Sequence, residues 1–264
     1  MMLSLDRFAD LSDVLGQWTA ATMSRQFDEA ERIAGELVAR CKEVAQDSAV
    51  PLPAPAGEKN GAVVVGILAR GLQGYVDVLR FRSAPNWHAA PANVEAMWSA
   101  LCDAVARLDH AAAYLNHPTL DSSLRTLAAV REEIDSRFGR GVYVSPVLVV
   151  EKFLCSVCGE DHRRCAHIVN RLYGGVRCIK VPTRLLRLAS VDIVEVPEDP
   201  RCRIWPWNRT DDPPGFKNIC VITSFRPDDY LDVPEILESK LRLARSEQPA
   251  LTRRSRRRRK ARRA

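Results

Sequence analysis

The hydrophobic pattern of this chain changes its period at Gly141, and that change limits the folds it can adopt. Before Gly141, apolar residues recur every three or four positions, which is typical of amphipathic helices. After it, Val142-Tyr143-Val144 and residues 147–150 form β-branched and aromatic runs bounded by Gly141 and Pro146, which indicates strands. The sequence therefore predicts an α+β protein, with an N-terminal all-α helical bundle followed by a small mixed β domain.

The helical half is predicted to contain two parts joined by a linker. Its helical patterns cover about 4–21, 26–44, 63–81, 93–115 and 120–138, and Gly139 follows the last where a C-terminal cap is expected. Three prolines and a glycine within residues 49–57 cannot continue a helix. We therefore expect a helical hairpin at 1–48, a proline-rich linker at 49–61 that leaves the hairpin separable, and a helical bundle at 62–140.

The remaining chain is predicted to form a β-rich domain at 141–248 and a basic tail at 249–264. Further strand patterns lie at 176–181, 186–196, 202–205 and 219–225, separated by proline-rich turns. A C-terminal helix is predicted from about Pro234 to Arg245.

A cluster of metal-ligand residues lies inside this β-rich domain. Cys155, Cys158, Cys165 and His167 form a C-x2-C-x6-C-x-H arrangement. Two close pairs of thiolate and imidazole donors suit a tetrahedral Zn²⁺ and leave no open position, which is the chemistry of a structural site. Cys178, Cys202 and His162 remain competing ligands. Because structural zinc contributes folding free energy, we expect the β-rich domain to be zinc-stabilised.

Positive charge is concentrated in the last residues of the chain. The net charge is +6, but residues 251–264 hold nine basic and no acidic side chains, so residues 1–250 carry −3. Like charges at this density repel one another, and we expect the tail to be disordered when free. Arginine matches phosphate geometry, which favours nucleic acid (DNA or RNA) as the partner, while an acidic protein, an anionic membrane surface or the acidic body stay open. The expected phosphate contacts are Arg253, Arg254, Arg256, Arg257, Arg258, Arg259, Lys260, Arg262 and Arg263.

A second aromatic and cationic patch follows the strand pattern that ends near residue 205. Trp205, Trp207 and Arg209 could stack on bases, or the tryptophans could cover a small core. Both interpretations of the tryptophans stay open. Separately, we expect any protein partner to contact the helical region.

Neither a membrane span nor a secretory signal is expected from the sequence. The most apolar stretch, residues 62–72, is interrupted by two glycines and an arginine, and the N-terminus lacks a basic region followed by an apolar core. Cytoplasmic residence is the expectation, where the eight cysteines would be reduced.

The cysteine-rich segment carries a partial family resemblance. Four sequence patterns carry it, in this order: Cys155-x2-Cys158-Gly159, Cys165-x-His167-Ile168, Leu172-Tyr173-x-Gly175-x2-Cys178, and Val191-Asp192-Ile193-Val194-x2-Pro197-x2-Pro200. Residues 155–204 thereby resemble the cysteine-rich segment and following strand of some phage head-maturation (prohead) protease relatives. The resemblance implies shared structure and a phage-related setting. The serine of that family falls here on Asp192, with Ser190 two positions earlier, and the family's upstream histidine-containing core has no counterpart.

An HNH-type nuclease is a second comparison for the same residues. Cys155-x2-Cys158 ahead of His167 and Gly174-Gly175 resembles the first half of that metal motif, but Ala166 stands where an acidic residue is needed and no later histidine follows. The leading hypothesis is therefore a non-enzymatic, zinc-stabilised accessory or adaptor protein associated with nucleic acid. The alternative is a hydrolase, protease-like or nuclease-like, with its site near the zinc module. An open metal position would favour the hydrolase, and a filled shell would favour the adaptor.

Overall fold

A computed structural model describes residues 3–46, 56–197 and 199–208 of the chain. Five α-helices come first: α1 (Leu11–Met23), α2 (Phe27–Gln46), α3 (Ala56–Ser83), α4 (Pro91–Ala112) and α5 (Pro118–Phe138). Seven strands follow: β1 (Val142–Val150), β2 (Phe153–Cys155), β3 (Leu172–Tyr173), β4 (Val176–Arg177), β5 (Lys180–Pro182), β6 (Leu185–Val194) and β7 (Arg203–Ile204). The predicted order of helices and then strands is confirmed, and Gly139 ends α5 with φ of 81°.

Helix α3 lies at the centre of the bundle, between α2 and α4. Val64, Val65, Leu68 and Leu72 are fully buried on it. Among the described helices, α3 is the one long and apolar enough to cross a membrane, with a window of mean hydropathy 1.5. Of that window, 67% is buried inside the protein. The central helix of a helical bundle has the same length, apolar composition and burial.

The prediction of a linker at 49–61 is wrong in its second part, because α3 already begins at Ala56. The N-terminal segment explains the early start: Ser4 N–H donates to Gly57 O at 3.1 Å, and a side chain at Gly61 would collide with Ser4 O. Nor is the hairpin a separate unit, since Trp18 and Leu37 enter the same apolar core as α3. Residues 47–55 lie outside the described part of the chain.

The described strands form three small antiparallel sheets. The largest has the order β6-β1-β7, and the others pair β2 with β5 and β3 with β4. β1 is one continuous strand through Pro146, where the sequence predicted two runs. Proline is tolerated there because, among the described strands, β1 has only β6 beside it beyond Tyr143.

The predicted strand at 176–181 is instead two short strands separated by Cys178 and Ile179. Cys178 extends the pairing of β4 towards the segment before β3 in an irregular form, since its N–H donates to Arg171 O and its carbonyl accepts from Asn170 N–H, each at 2.8 Å. The predicted strand at 219–225, the helix at 234–245, Arg209 and the tail at 249–264 lie outside the described residues.

The β-rich part contacts the bundle along two lines. On one, Tyr114 in the turn after α4 donates its hydroxyl to Asn170 O at 3.1 Å, and Gly175 N–H donates to the buried Asn60 side chain on α3 at 2.9 Å. On the other, the buried Arg203 of β7 pairs with Asp135 on α5 at 2.6 Å. The halves that the sequence separates at residue 140 are therefore in direct contact.

Candidate metal centre

The first ligand pair lies on a tight turn at the end of β2. Cys155 is the last residue of that strand, and Gly159 N–H closes the turn by donating to Cys155 O at 2.8 Å. Gly159 has φ of 73°, a left-handed conformation that favours glycine. Val157 N–H points at the Cys155 sulfur, 3.4 Å away. The turn thus presents two sulfurs together, Cys155 buried and Cys158 exposed.

The second ligand pair lies on the loop that follows. Asp161 fixes the start of this loop by accepting from the backbone and guanidinium of Arg163, and these hydrogen bonds hold the pKa of Asp161 well below its ordinary value. The His167 ring packs edge-on against Tyr173, with ring centroids 4.6 Å apart. The Tyr173 hydroxyl in turn accepts from Ile168 N–H at 3.0 Å. β3 therefore orients His167.

The structure brings together the four side chains that the sequence singled out. One donor atom from each of Cys155, Cys158, Cys165 and His167 lies within 4.8 Å of the others, so the group can hold a metal ion. A zinc–sulfur bond of about 2.3 Å corresponds to sulfur–sulfur separations of about 3.8 Å in a tetrahedron, which a small contraction would reach. His167 Nδ1 is buried and has no hydrogen-bond partner, as a metal-ligating nitrogen would be before the ion binds.

The thiols do not ionise equally. Burial opposes ionisation of Cys155, but hydrogen bonds from the backbone of Cys158 and Val157 and from neighbouring thiols outweigh it, and its pKa lies below the ordinary value. Desolvation and the Cys155 charge raise the pKa of Cys165, and they raise the pKa of Cys178 to about 12. A bound cation would relieve this repulsion and favour further thiolates.

Cys178 is the competing ligand that comes closest. Its buried sulfur lies 3.8 Å from Cys155 Sγ, the edge length of a zinc–thiolate tetrahedron. Ser156 ties the two segments together: its hydroxyl donates to Arg177 O at 2.7 Å and accepts from Ile179 N–H at 2.8 Å. Sequence spacing alone could not show this approach, because it depends on the pairing of β2 with β5.

The other competing ligands lie apart from the four-residue group. His162 has a buried Nε2 without a hydrogen-bond partner, but its ring nitrogen is not among the clustered donors. Cys202 lies in the turn Pro200–Cys202 ahead of β7, which packs on α4. Ser190, considered as a nucleophile, donates to Asp192 at 3.2 Å on exposed β6. These placements leave Cys178 as the main alternative.

The tryptophan patch is part of the core rather than an open surface. Trp205 is buried and stacks on Trp207, with centroids 5.0 Å apart and planes nearly parallel. Trp98 donates its indole N–H to Pro200 O, and Trp207 donates to Glu95, both at 2.7 Å. The ring of Trp205 is therefore not available to stack on a base, and these side chains cover the end of the bundle.

Arg203 is the important residue of this region that the sequence did not single out. Its guanidinium lies 4.7 Å from the Trp98 ring centre and 4.5 Å from that of Trp205, and it bonds Asp135 and Gly139 O. An Arg-x-Trp pattern on a strand was its only sequence signal.

Comparison of the chain with protein families, with curated proteins and with solved structures finds no match. The partial resemblance of residues 155–204 to prohead protease relatives therefore stays a prediction.

Proposed function

We propose that this chain is a zinc-stabilised, non-enzymatic accessory or adaptor protein that associates with nucleic acid through its Arg-rich tail. The observation that carries the proposal is the convergence of three thiols and one imidazole within 4.8 Å. Zinc is the proposed ion because sulfur and imidazole donors are its usual protein ligands.

The donor count favours a structural role. Four protein ligands complete a tetrahedron, and Cys178 adds a nearby fifth donor rather than an open position. A hydrolase needs a vacant coordination position for water or substrate. The donor set therefore favours the adaptor over the hydrolase. A prophage- or phage-related setting is part of the proposal and depends on the sequence resemblance. Cytoplasmic residence is proposed as the default for a sequence in which neither a secretory signal nor a membrane span is recognised.

Metal content tests the first half of the proposal. Cys155→Ser should lower bound zinc from one equivalent to a small fraction, measured by elemental analysis after gel filtration. Cys41→Ser is the matched control, since Cys41 is buried on α2 and belongs to no metal group. Because Cys178 lies close enough to replace Cys155, the double variant Cys155→Ser, Cys178→Ser is measured as well, and a double variant that keeps its full metal content would contradict the site.

Salt-dependent binding tests the second half. Full-length protein should bind a duplex with a steep log–log salt dependence, whereas residues 1–250 should bind weakly with a shallow one. Nine basic residues allow a slope change of up to about 8 if each contacts a phosphate. Replacing all nine by glutamine should reproduce the truncation, while nine lysines, which retain the charge, should preserve the slope. Equal binding by the truncation and the full chain would place any nucleic-acid site elsewhere.

A further inference from the structure

One face of the β1–β6 ribbon is apolar along its whole length. Alternate residues of a strand share a face, and residues paired across an antiparallel ladder lie on the same face. This face therefore combines every second cross-strand pair: Val144 with Ile193, Pro146 with Val191, Leu148 with Leu188, and Val150 with Leu185. The ladder has register shifts after Val147 and Val149, where β6 contains the extra residues Ala189 and Leu186, and these shifts bring Leu188 and Leu185 onto the same face as Ile193.

This apolar face is open to solvent among the described residues. Ile193 is 72% exposed, Leu185 56%, Leu188 52% and Leu148 51%. The opposite face begins with Tyr143 and Val194, which contact the bundle core. The apolar face thus points away from the bundle, and a contiguous exposed patch of this kind marks a surface that binds something.

The opposite face of the ribbon is the polar one beyond that first pair. It combines Ser145 with Asp192, Val147 with Ser190 and Val149 with Arg187. Both faces of β6 are exposed from Leu185 to Ile193, so the two faces of the ribbon differ in polarity and not in solvent exposure. The polarity of the two faces indicates a specific cover on one side.

We propose that residues 234–245 of this same chain pack as an amphipathic helix on the apolar face of the β1–β6 ribbon. In a helix, Ile236, Leu237, Leu241, Leu243 and Ala244 share one side of this segment, around Lys240. Glu235, Glu238, Arg242 and Arg245 share the opposite side. Such a helix is a fitting second layer for an apolar sheet face.

The position where the described chain ends supports this occupant. β7 pairs with the first residues of β1, so the described part of the chain ends at Asn208, four residues after a strand of the sheet that contains the ribbon. Residues 209–233 can span up to roughly 80 Å, whereas the ribbon is about 30 Å long. A tethered segment also acts at high effective concentration, which favours it over a second copy of the chain.

The inference goes beyond the proposed function and does not depend on nucleic-acid binding. It places the first basic residue of the tail, Arg253, eight residues after the end of a helix held on the ribbon. The charged tail would then extend from a fixed point next to the β-rich part.

Hydrogen–deuterium exchange of the full-length, zinc-loaded protein tests the proposal. Amides of residues 236–245 should exchange at least tenfold more slowly than those of residues 253–263. Leu188→Asp on the apolar face should abolish this protection. The matched control is Val147→Asp, an exposed apolar residue on the other face of the same ribbon, which should preserve it.

A reciprocal variant guards against misfolding of the ribbon. Leu241→Asp lies in the proposed helix, and it should abolish protection of 236–245 while zinc content stays unchanged and helical circular dichroism falls by no more than this short segment contributes. Fast exchange of 236–245 in the unmodified chain would overturn the proposal. If that chain were also a dimer by light scattering, and Leu188→Asp made it monomeric, the occupant would be a second copy. If the unmodified chain were a monomer in which residues 236–245 exchange fast, the apolar face would bind a different partner, and the proposal would again be overturned.

Discussion

Arg203 shows how a single charged residue can connect two parts of a fold. Its side chain is 1% exposed, lies between the rings of Trp98 and Trp205, and pairs with Asp135. A buried guanidinium is stable only when its charge is compensated by partners of this kind. The residue therefore joins β7 to α4 and α5 through interactions that a substitution would remove together.

Arg203→Met should lower the free energy of unfolding by about 3 kcal/mol, because Asp135 loses its partner and the ring contacts are disrupted. Urea denaturation followed by tryptophan fluorescence measures this change. Arg32→Met is the control, since Arg32 pairs with Glu29 and Glu36 on the exposed face of α2, and it should change the midpoint little. Equal effects of the two substitutions would contradict a special role for Arg203.

His110 makes stability depend on pH. Burial, with a contribution from the charge of Arg177, lowers the pKa of His110 to about 4 from an ordinary value of 6.5. The unfolded chain therefore takes up this proton first, and the stability associated with neutral His110 is lost as pH falls from about 6.5 towards 4. Urea midpoints of His110→Gln should fall less over this range than those of the unmodified protein. Parallel pH profiles would disprove the effect, and acid loss of zinc cancels in the comparison.

At the scale of elements, the β3–β4 hairpin is fixed to α3 by a close backbone approach. Gly175 has φ of 88°, and a Cβ there would lie 2.9 Å from Lys59 Cβ. Gly174, its neighbour in the same turn, also has a positive φ, of 58°, but a Cβ would meet nothing within 4 Å. The two glycines thus share a conformational requirement and differ in their surroundings.

Gly175→Ala should therefore destabilise the protein by roughly 1–3 kcal/mol more than Gly174→Ala. Both substitutions place alanine at a positive φ, and the larger effect at Gly175 combines the collision with Lys59 and a φ that lies further from the left-handed region. Thermal unfolding followed by circular dichroism gives the two values. If the difference were absent, the hairpin would not be closely packed against the helix.

The whole molecule has one apolar core that is mainly helical. Of the described strand and loop residues after α5, Tyr143, Leu172 and Trp205 are the buried members of that core. The region of the four metal ligands is instead joined by backbone hydrogen bonds and by the clustered donors. The two halves should therefore depend differently on a metal ion.

Chelation of zinc should accelerate amide exchange in residues 153–182 while the helices α1 to α5 remain protected. The helices keep their own core when the metal is removed, whereas the ligand loops lose their cross-link. Mass spectrometry of peptic fragments before and after chelation measures both regions, and added Zn²⁺ should restore the original pattern. Uniform loss of protection would instead show that the metal stabilises the whole fold.

The sequence predicted the helices well because each has a strong local pattern that the core then buries. The early start of α3 was missed because Gly57 and Gly61 are poor helix formers, and only the contact with Ser4 explains their place in a helix. The sequence also identified Cys155, Cys158, Cys165 and His167 as one group, since close spacing in a loop ensures proximity.

What the sequence determined by itself is local: helical period, turn residues, ligand spacing and the charge of the tail. Only tertiary structure decided that Cys178 approaches Cys155, that Trp205 is buried around Arg203, and that one face of the ribbon is wholly apolar. These features depend on which strands pair and in which register. Residues far apart in the chain are brought together by cross-strand pairing and core packing, and a linear pattern contains no record of either.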